Sequence, residues 1–77
     1  MIDRIEAGER LRDARKNANL SQEAAARMLG MTRQQLSGLE TGRRVPTWPR
    51  LVEMVEKLGL DPRMIVPEFF ASTTTAN

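Results

Sequence analysis

An all-α fold of five short helices is predicted for this 77-residue sequence. Three observations predict it. Apolar residues recur at spacings of three and four, and no segment shows the alternation of a strand. Candidate caps (Asp, Ser or Thr) open the periodic segments, and Gly closes several of them. Residues 22–41, QEAAARMLGMTRQQLSGLET, read as two short helices around a tight turn at Gly30-Met31.

The first helix starts near Asp3, which can cap it, and runs to about Asn17 or Ala18. Asp3 and Glu6 have capping-box spacing, although the box proper uses Ser or Thr. Its apolar face includes Ile5, Leu11 and Ala14. Ser21 caps a second helix over residues 22–29. Thr32 caps a third, from Arg33 to about Thr41, and Gly42 stops it. Residues 43–46 form a loop. Thr47 caps the fourth helix, with Pro49 tolerated in its first turn. That helix presents Leu51, Met54, Val55 and Leu58, and Gly59 ends it. Asp61-Pro62 starts a short fifth helix containing Met64 and Ile65, which Pro67 ends or bends. Residues 71–77 form a polar, Thr-rich tail, expected to be flexible beside a domain over 1–70.

Helices two and three are spaced to lock together. Ala26 lies four residues after Gln22, where only a small side chain lets two helices cross closely. Gly30 follows four later, where a positive φ is expected. Leu36 and Leu39 lie on one face of the third helix. This is a helix-turn-helix, whose second helix can enter the DNA major groove.

Composition narrows the function. The chain has neither cysteine nor histidine, which excludes disulfides, the usual zinc sites and the usual nucleophile–base pairs. No metal, cofactor or enzymatic role is expected. No long apolar run or signal peptide is seen, so a cytoplasmic location without a membrane partner is expected. A pI near 9.9 overstates the basicity, because the formal net charge is only +2. Its distribution says more. Residues 24–50 carry Arg27, Arg33, Arg43, Arg44 and Arg50 against Glu40 alone. Residues 1–23 balance at zero, and residues 51–77 carry −2. The positive charge therefore sits on the motif, as a polyanion partner requires, although arginines also solvate ordinary helix faces.

The ordered set GERLRDAR, LSQ, LG-MT, LE-TG and Pro46 resembles the lambda-repressor-like family of phage repressor, Cro and XRE-type regulators. The resemblance runs from near Gly8 to about Ile65. It implies a compact five-helix domain with the helix-turn-helix at helices two and three. It also implies a sequence-specific DNA-binding regulator, a dimeric repressor acting on a near-palindromic operator of double-stranded DNA. A phage or mobile-element repressor, a restriction-modification controller and an antitoxin-type autorepressor with a toxin or other protein partner share this fold. A protein-interaction adaptor without specific DNA reading remains the alternative.

Residue by residue, the resemblance places base contacts on Arg33, Gln34, Ser37 and the position of Gly38. Arg suits guanine O6 and N7, and Gln suits adenine N6 and N7; for Arg33 a phosphate contact is the competing role. Relatives mostly carry a side chain where this chain has Gly38. Glycine there either allows a closer approach to the groove or marks an unread position. Phosphate contacts fall to Gln22, Thr32, Gln35, Thr41, Arg43 and Arg44. Arg15 and Glu40 match positions that pair between the first and third helices. The family dimerises through its C-terminal helices, which here offer Met64, Val66, Phe69 and Phe70; Trp48 is a further interface candidate. One departure concerns packing. Ala25 stands where relatives place a large aliphatic residue, so Met28, Met31 or Trp48 is expected to fill the space.

Overall fold

The computed structural model describes residues 3–65. Each of the first four helices begins on a side-chain cap. α1 (Arg4–Asn17) starts where Asp3 Oδ1 accepts the Glu6 amide at 2.8 Å. α2 (Gln22–Leu29) starts where Ser21 Oγ accepts the Ala24 amide at 3.0 Å. α3 (Arg33–Thr41) starts on a reciprocal box. There Thr32 Oγ1 accepts the Gln35 amide at 3.0 Å and Gln35 Oε1 accepts the Thr32 amide at 2.9 Å. α4 (Trp48–Leu58) starts on Thr47, and α5 (Pro62–Ile65) is one turn. These bonds satisfy amides that a helix N-terminus otherwise leaves unpaired.

The ends follow the same local logic. Gly30 has φ 66° and turns the chain from α2 towards α3. At the end of α1, Asn19 takes φ 60°, a conformation that asparagine adopts more readily than most residues. At α1 only half of the capping box forms, because Glu6 turns instead to Arg10 at 2.8 Å.

The core draws on every helix. Leu11 and Ala14 of α1 meet Ala25, Ala26 and Leu29 of α2, together with Leu36 and Leu39 of α3. Met54 and Leu58 of α4, then Leu60 and Ile65, complete it. α1 packs on α3 and α5, while α2 packs on α3 and α4. The helix-turn-helix is thereby held from both sides.

Two expectations about packing change. Ile5 is 58% exposed and lies at the end of α3 rather than in the core. There a Cβ added to Gly42 would lie 2.9 Å from the Ile5 Cα. The buried residue on that stretch of α1 is Gly8. A Cβ on it would come within 2.5 Å of the Glu40 carbonyl oxygen and 2.7 Å of that of Leu39. α1 thus crosses α3 backbone to backbone, which only glycine permits. Finally, Met28 and Trp48 are exposed, and only Met31 of the three proposed fillers packs against the core. The largest fully buried side chains in the cluster that holds Ala25 are Leu36 of α3 and Met54 of α4. Unbranched and adaptable, methionine suits such a gap.

Candidate nucleic-acid interface

The centre of the site is a buried ion pair. Arg15 Nε donates to Glu40 Oε2 at 2.7 Å, and Arg15 Nη2 donates to Glu40 Oε1 at 3.2 Å. The fork-on-carboxylate geometry is the strong form of this interaction. Arg15 Nη1 also donates to the Leu20 carbonyl at 2.7 Å. The pair therefore joins α1, the loop before α2, and α3. Both residues are buried, and no buried side-chain polar atom among the described residues lacks a partner.

From this pair a chain of bonds runs to the surface. Gln22 Nε2 donates to Glu40 Oε1 at 3.0 Å. Arg33 Nε donates to Gln22 Oε1 at 3.3 Å. The four residues connect the buried carboxylate to the first turn of α3. Gln22, expected at a phosphate, thus also orients Arg33, expected at a base. The carboxamide serves both because its NH₂ and its oxygen point to different neighbours.

Arg33, Gln34 and Gln35 are exposed, and Ser37 is half-buried. On a helical wheel Gln34, Gly38 and Thr41 lie opposite the core residue Leu36, and Ser37 lies on the flank of that strip. Thr32 and Gln35 spend one oxygen each on the α3 cap, which leaves the Gln35 NH₂ available to an anion. Thr41 Oγ1 donates to the Ser37 carbonyl at 2.9 Å, so a phosphate there competes with an internal bond. Arg43 and Arg44 are exposed in the loop after α3. Gly38 is buried although it faces outward, and its neighbour is the Arg44 side chain.

Pairing separates two kinds of arginine. Arg10, Arg15, Arg50 and Arg63 each meet a carboxylate. Arg4 and Arg12 of α1, and Arg27, Arg33, Arg43 and Arg44, meet none among the described residues. Four of the five arginines of the motif and its following segment thus keep uncompensated charge. Counterion release at a phosphate backbone draws on such groups.

On the far side of α2, Arg50 fastens α4. It donates to the Leu29 carbonyl at 3.5 Å and to Glu53 at 2.7 Å. Lys57 holds the other Glu53 oxygen at 2.9 Å. The Glu53 carboxyl sits below its ordinary pKa, first through the hydrogen bond from Lys57 and then through that from Arg50. Sequence reasoning counted Arg50 with the motif's positive charge and missed this role. It also missed Gly8, although a glycine in mid-helix is itself a signal of close approach.

Of the residues expected at a dimer interface, Met64 is half-buried and packs against the core. Val66, Phe69 and Phe70 lie outside the described residues, as does the 71–77 tail. Among the described residues no helix is long and apolar enough to cross a membrane, and no group of acidic side chains is placed to hold a metal.

Comparison with known proteins agrees with this fold. The chain is 36% identical over 61 residues to the ImmF control region 10 kDa protein of Bacillus phage phi105, covering 79% of this chain and 68% of that protein. Among solved structures it resembles the restriction-modification controller protein C.AhdI from Aeromonas hydrophila. The TM-score is 0.69 at 31% identity, over 79% of this chain and 92% of that one. The family model for the helix-turn-helix domain matches residues 6–65. With α2 and α3 packed as that motif requires, the chain belongs to the helix-turn-helix domain family.

Proposed function

We propose that this chain is a sequence-specific DNA-binding transcription regulator, a repressor acting as a homodimer. The observation that carries the reading is the exposed, uncompensated row on and after α3, with Arg33 anchored through Gln22 to the buried Arg15–Glu40 pair. Rigidly held polar groups on an exposed helix face are what base reading needs. In this reading Arg33, Gln34 and Ser37 face base edges. Gln22, Thr32, Gln35, Thr41, Arg43 and Arg44 grip phosphates.

One such domain covers a half-site, so two copies reading a near-palindrome follow. Met64, Val66, Phe69 and Phe70 form the interface of that dimer. The phage control-region relative and the restriction-modification controller support a role in the control of a mobile element or a restriction system.

The test is a salt-dependent binding assay on random DNA and on DNA selected from a random pool. A regulator enriches one motif and holds it well above random sequence at physiological salt. A protein-interaction adaptor with this fold enriches none. Sedimentation of Phe69→Ala/Phe70→Ala tests the dimer: the variant is expected to run as a monomer at micromolar concentration, and an unchanged dimer rules this interface out.

A further inference from the structure

Gly38 sits about 200° around α3 from the core residue Leu36, yet it is buried. What covers it is the Arg44 side chain. A Cβ at position 38 would lie 3.1 Å from Arg44 Cδ and 3.2 Å from Arg44 Cγ, with Cβ at 4.0 Å. The backbone holds Arg44 in place too, because its amide donates to the Gly38 carbonyl at 3.1 Å. That carbonyl also receives Thr41 Oγ1 at 3.4 Å. The methylenes of Arg44 therefore lie on the outward strip that Gln34 begins one turn earlier. Its guanidinium starts one bond beyond Cδ and pairs with no carboxylate among the described residues.

We propose that Arg44 reads a base edge from the position that a side chain at residue 38 would otherwise occupy, and that Gly38 is the seat that lets it do so. This rests on the DNA-reading function above. It moves Arg44 from a phosphate grip to a specificity determinant. A glycine normally destabilises a helix interior; here the missing Cβ makes room for the stem of a residue from the following loop. The fork of an arginine suits guanine O6 and N7, whereas lysine offers only a point charge.

Four proteins test it: Arg44→Lys, Arg44→Ala, Gly38→Ala and the Gly38→Ala/Arg44→Ala double variant. Each is taken through selection from random DNA and through binding to the site that the wild type selects. Arg44→Ala is expected to weaken the selected site about tenfold to a hundredfold and to flatten preference at one base position. Arg44→Lys keeps its charge and flattens the same position. Gly38→Ala displaces the Arg44 stem and flattens that position as well. In the Arg44→Ala background, Gly38→Ala has no further effect on preference.

A full-sharpness motif for Arg44→Lys, with Arg44→Ala weakening selected and random DNA by the same factor, makes Arg44 a phosphate contact and overturns the proposal. So does flattening at separate positions by the two single variants. A readout without DNA separates this from failure of the DNA-reading function, in which the wild type itself enriches no motif. In thermal melts, Gly38→Ala raises Tm more with Arg44→Ala than with Arg44 intact. An equal rise in both backgrounds shows that Arg44 does not rest on Gly38, and sinks the proposal whatever the DNA result.

Discussion

Arg33 and Gln22 are joined at 3.3 Å, Arg33 Nε donating to the carboxamide oxygen. Because Gln22 also holds Glu40, the rotamer of an exposed arginine is set by a carboxylate on the inner face of its own helix. Arg33→Ala is expected to relax base preference at one position, with a loss of about 1–3 kcal/mol on the preferred site. Selection from random DNA checks this. An unchanged, equally sharp motif excludes a base contact.

Glu40→Ala strands the Arg15 guanidinium in a buried position, where it keeps only the Leu20 carbonyl. Loss of one partner of a buried pair costs about 3–5 kcal/mol, a large share of what so small a domain has. Chemical denaturation should show the loss, and an unchanged midpoint would mean that the pair contributes nothing.

Gly8→Ala pits two effects against each other. Alanine gains about 1 kcal/mol of helix propensity over glycine. The new Cβ, however, meets the Glu40 carbonyl oxygen at 2.5 Å, and backbone cannot rotate away. Overpacking costs about 1–3 kcal/mol or more, so the net effect is a lower Tm. A rise in Tm would show that α1 and α3 are not in backbone contact.

Arg43 is exposed and meets no carboxylate among the described residues. Arg43→Ala is expected to weaken random and selected DNA equally and to flatten the salt dependence by about one unit. Lost selectivity with an unchanged salt slope contradicts a phosphate contact.

Acid sensitivity should trace in part to Glu53. Its pKa is depressed in the fold by Lys57 and then Arg50. The stabilisation is therefore complete above the unfolded value of 4.5 and fades as pH falls through the lower folded value. With no histidine in the chain, stability is expected to be nearly flat from about pH 6 to 8. Glu53→Gln should lose part of the acid limb and leave the neutral plateau flat; a step near pH 6.5 in the wild type would contradict this.

The helices were legible because their signals are local. A Ser, Thr or Asp three residues ahead of an unpaired amide, or a glycine after the last apolar residue, acts within one turn, and Ser21, Thr32, Thr47 and Gly30 all serve as read. Core membership was less legible. Ile5 sits among residues of helical spacing, but α1 is drawn so close to α3 by Gly8 that Ile5 is pushed past the end of that helix. Met54 was legible as an inward residue of α4, but not as one of the two largest fully buried side chains of the core that holds Ala25, since nothing local to either residue announces the other. In the site, the Arg15–Glu40 contact was foreseen only through family resemblance. The Gln22 bridge and the Arg44 stem over Gly38 were not foreseen. Both depend on where a long side chain settles after the helices have packed.

The chain of bonds from Arg15 to Arg33 has a genetic consequence. Lesions at Gly8, Arg15 or Glu40 are expected to act on folding and on the proposed recognition surface at once, so heat-sensitive alleles should gather there. Alleles that redirect the protein to a new operator while leaving it robust at high temperature should instead fall at Gln34 and Ser37, which face outward and carry none of that chain.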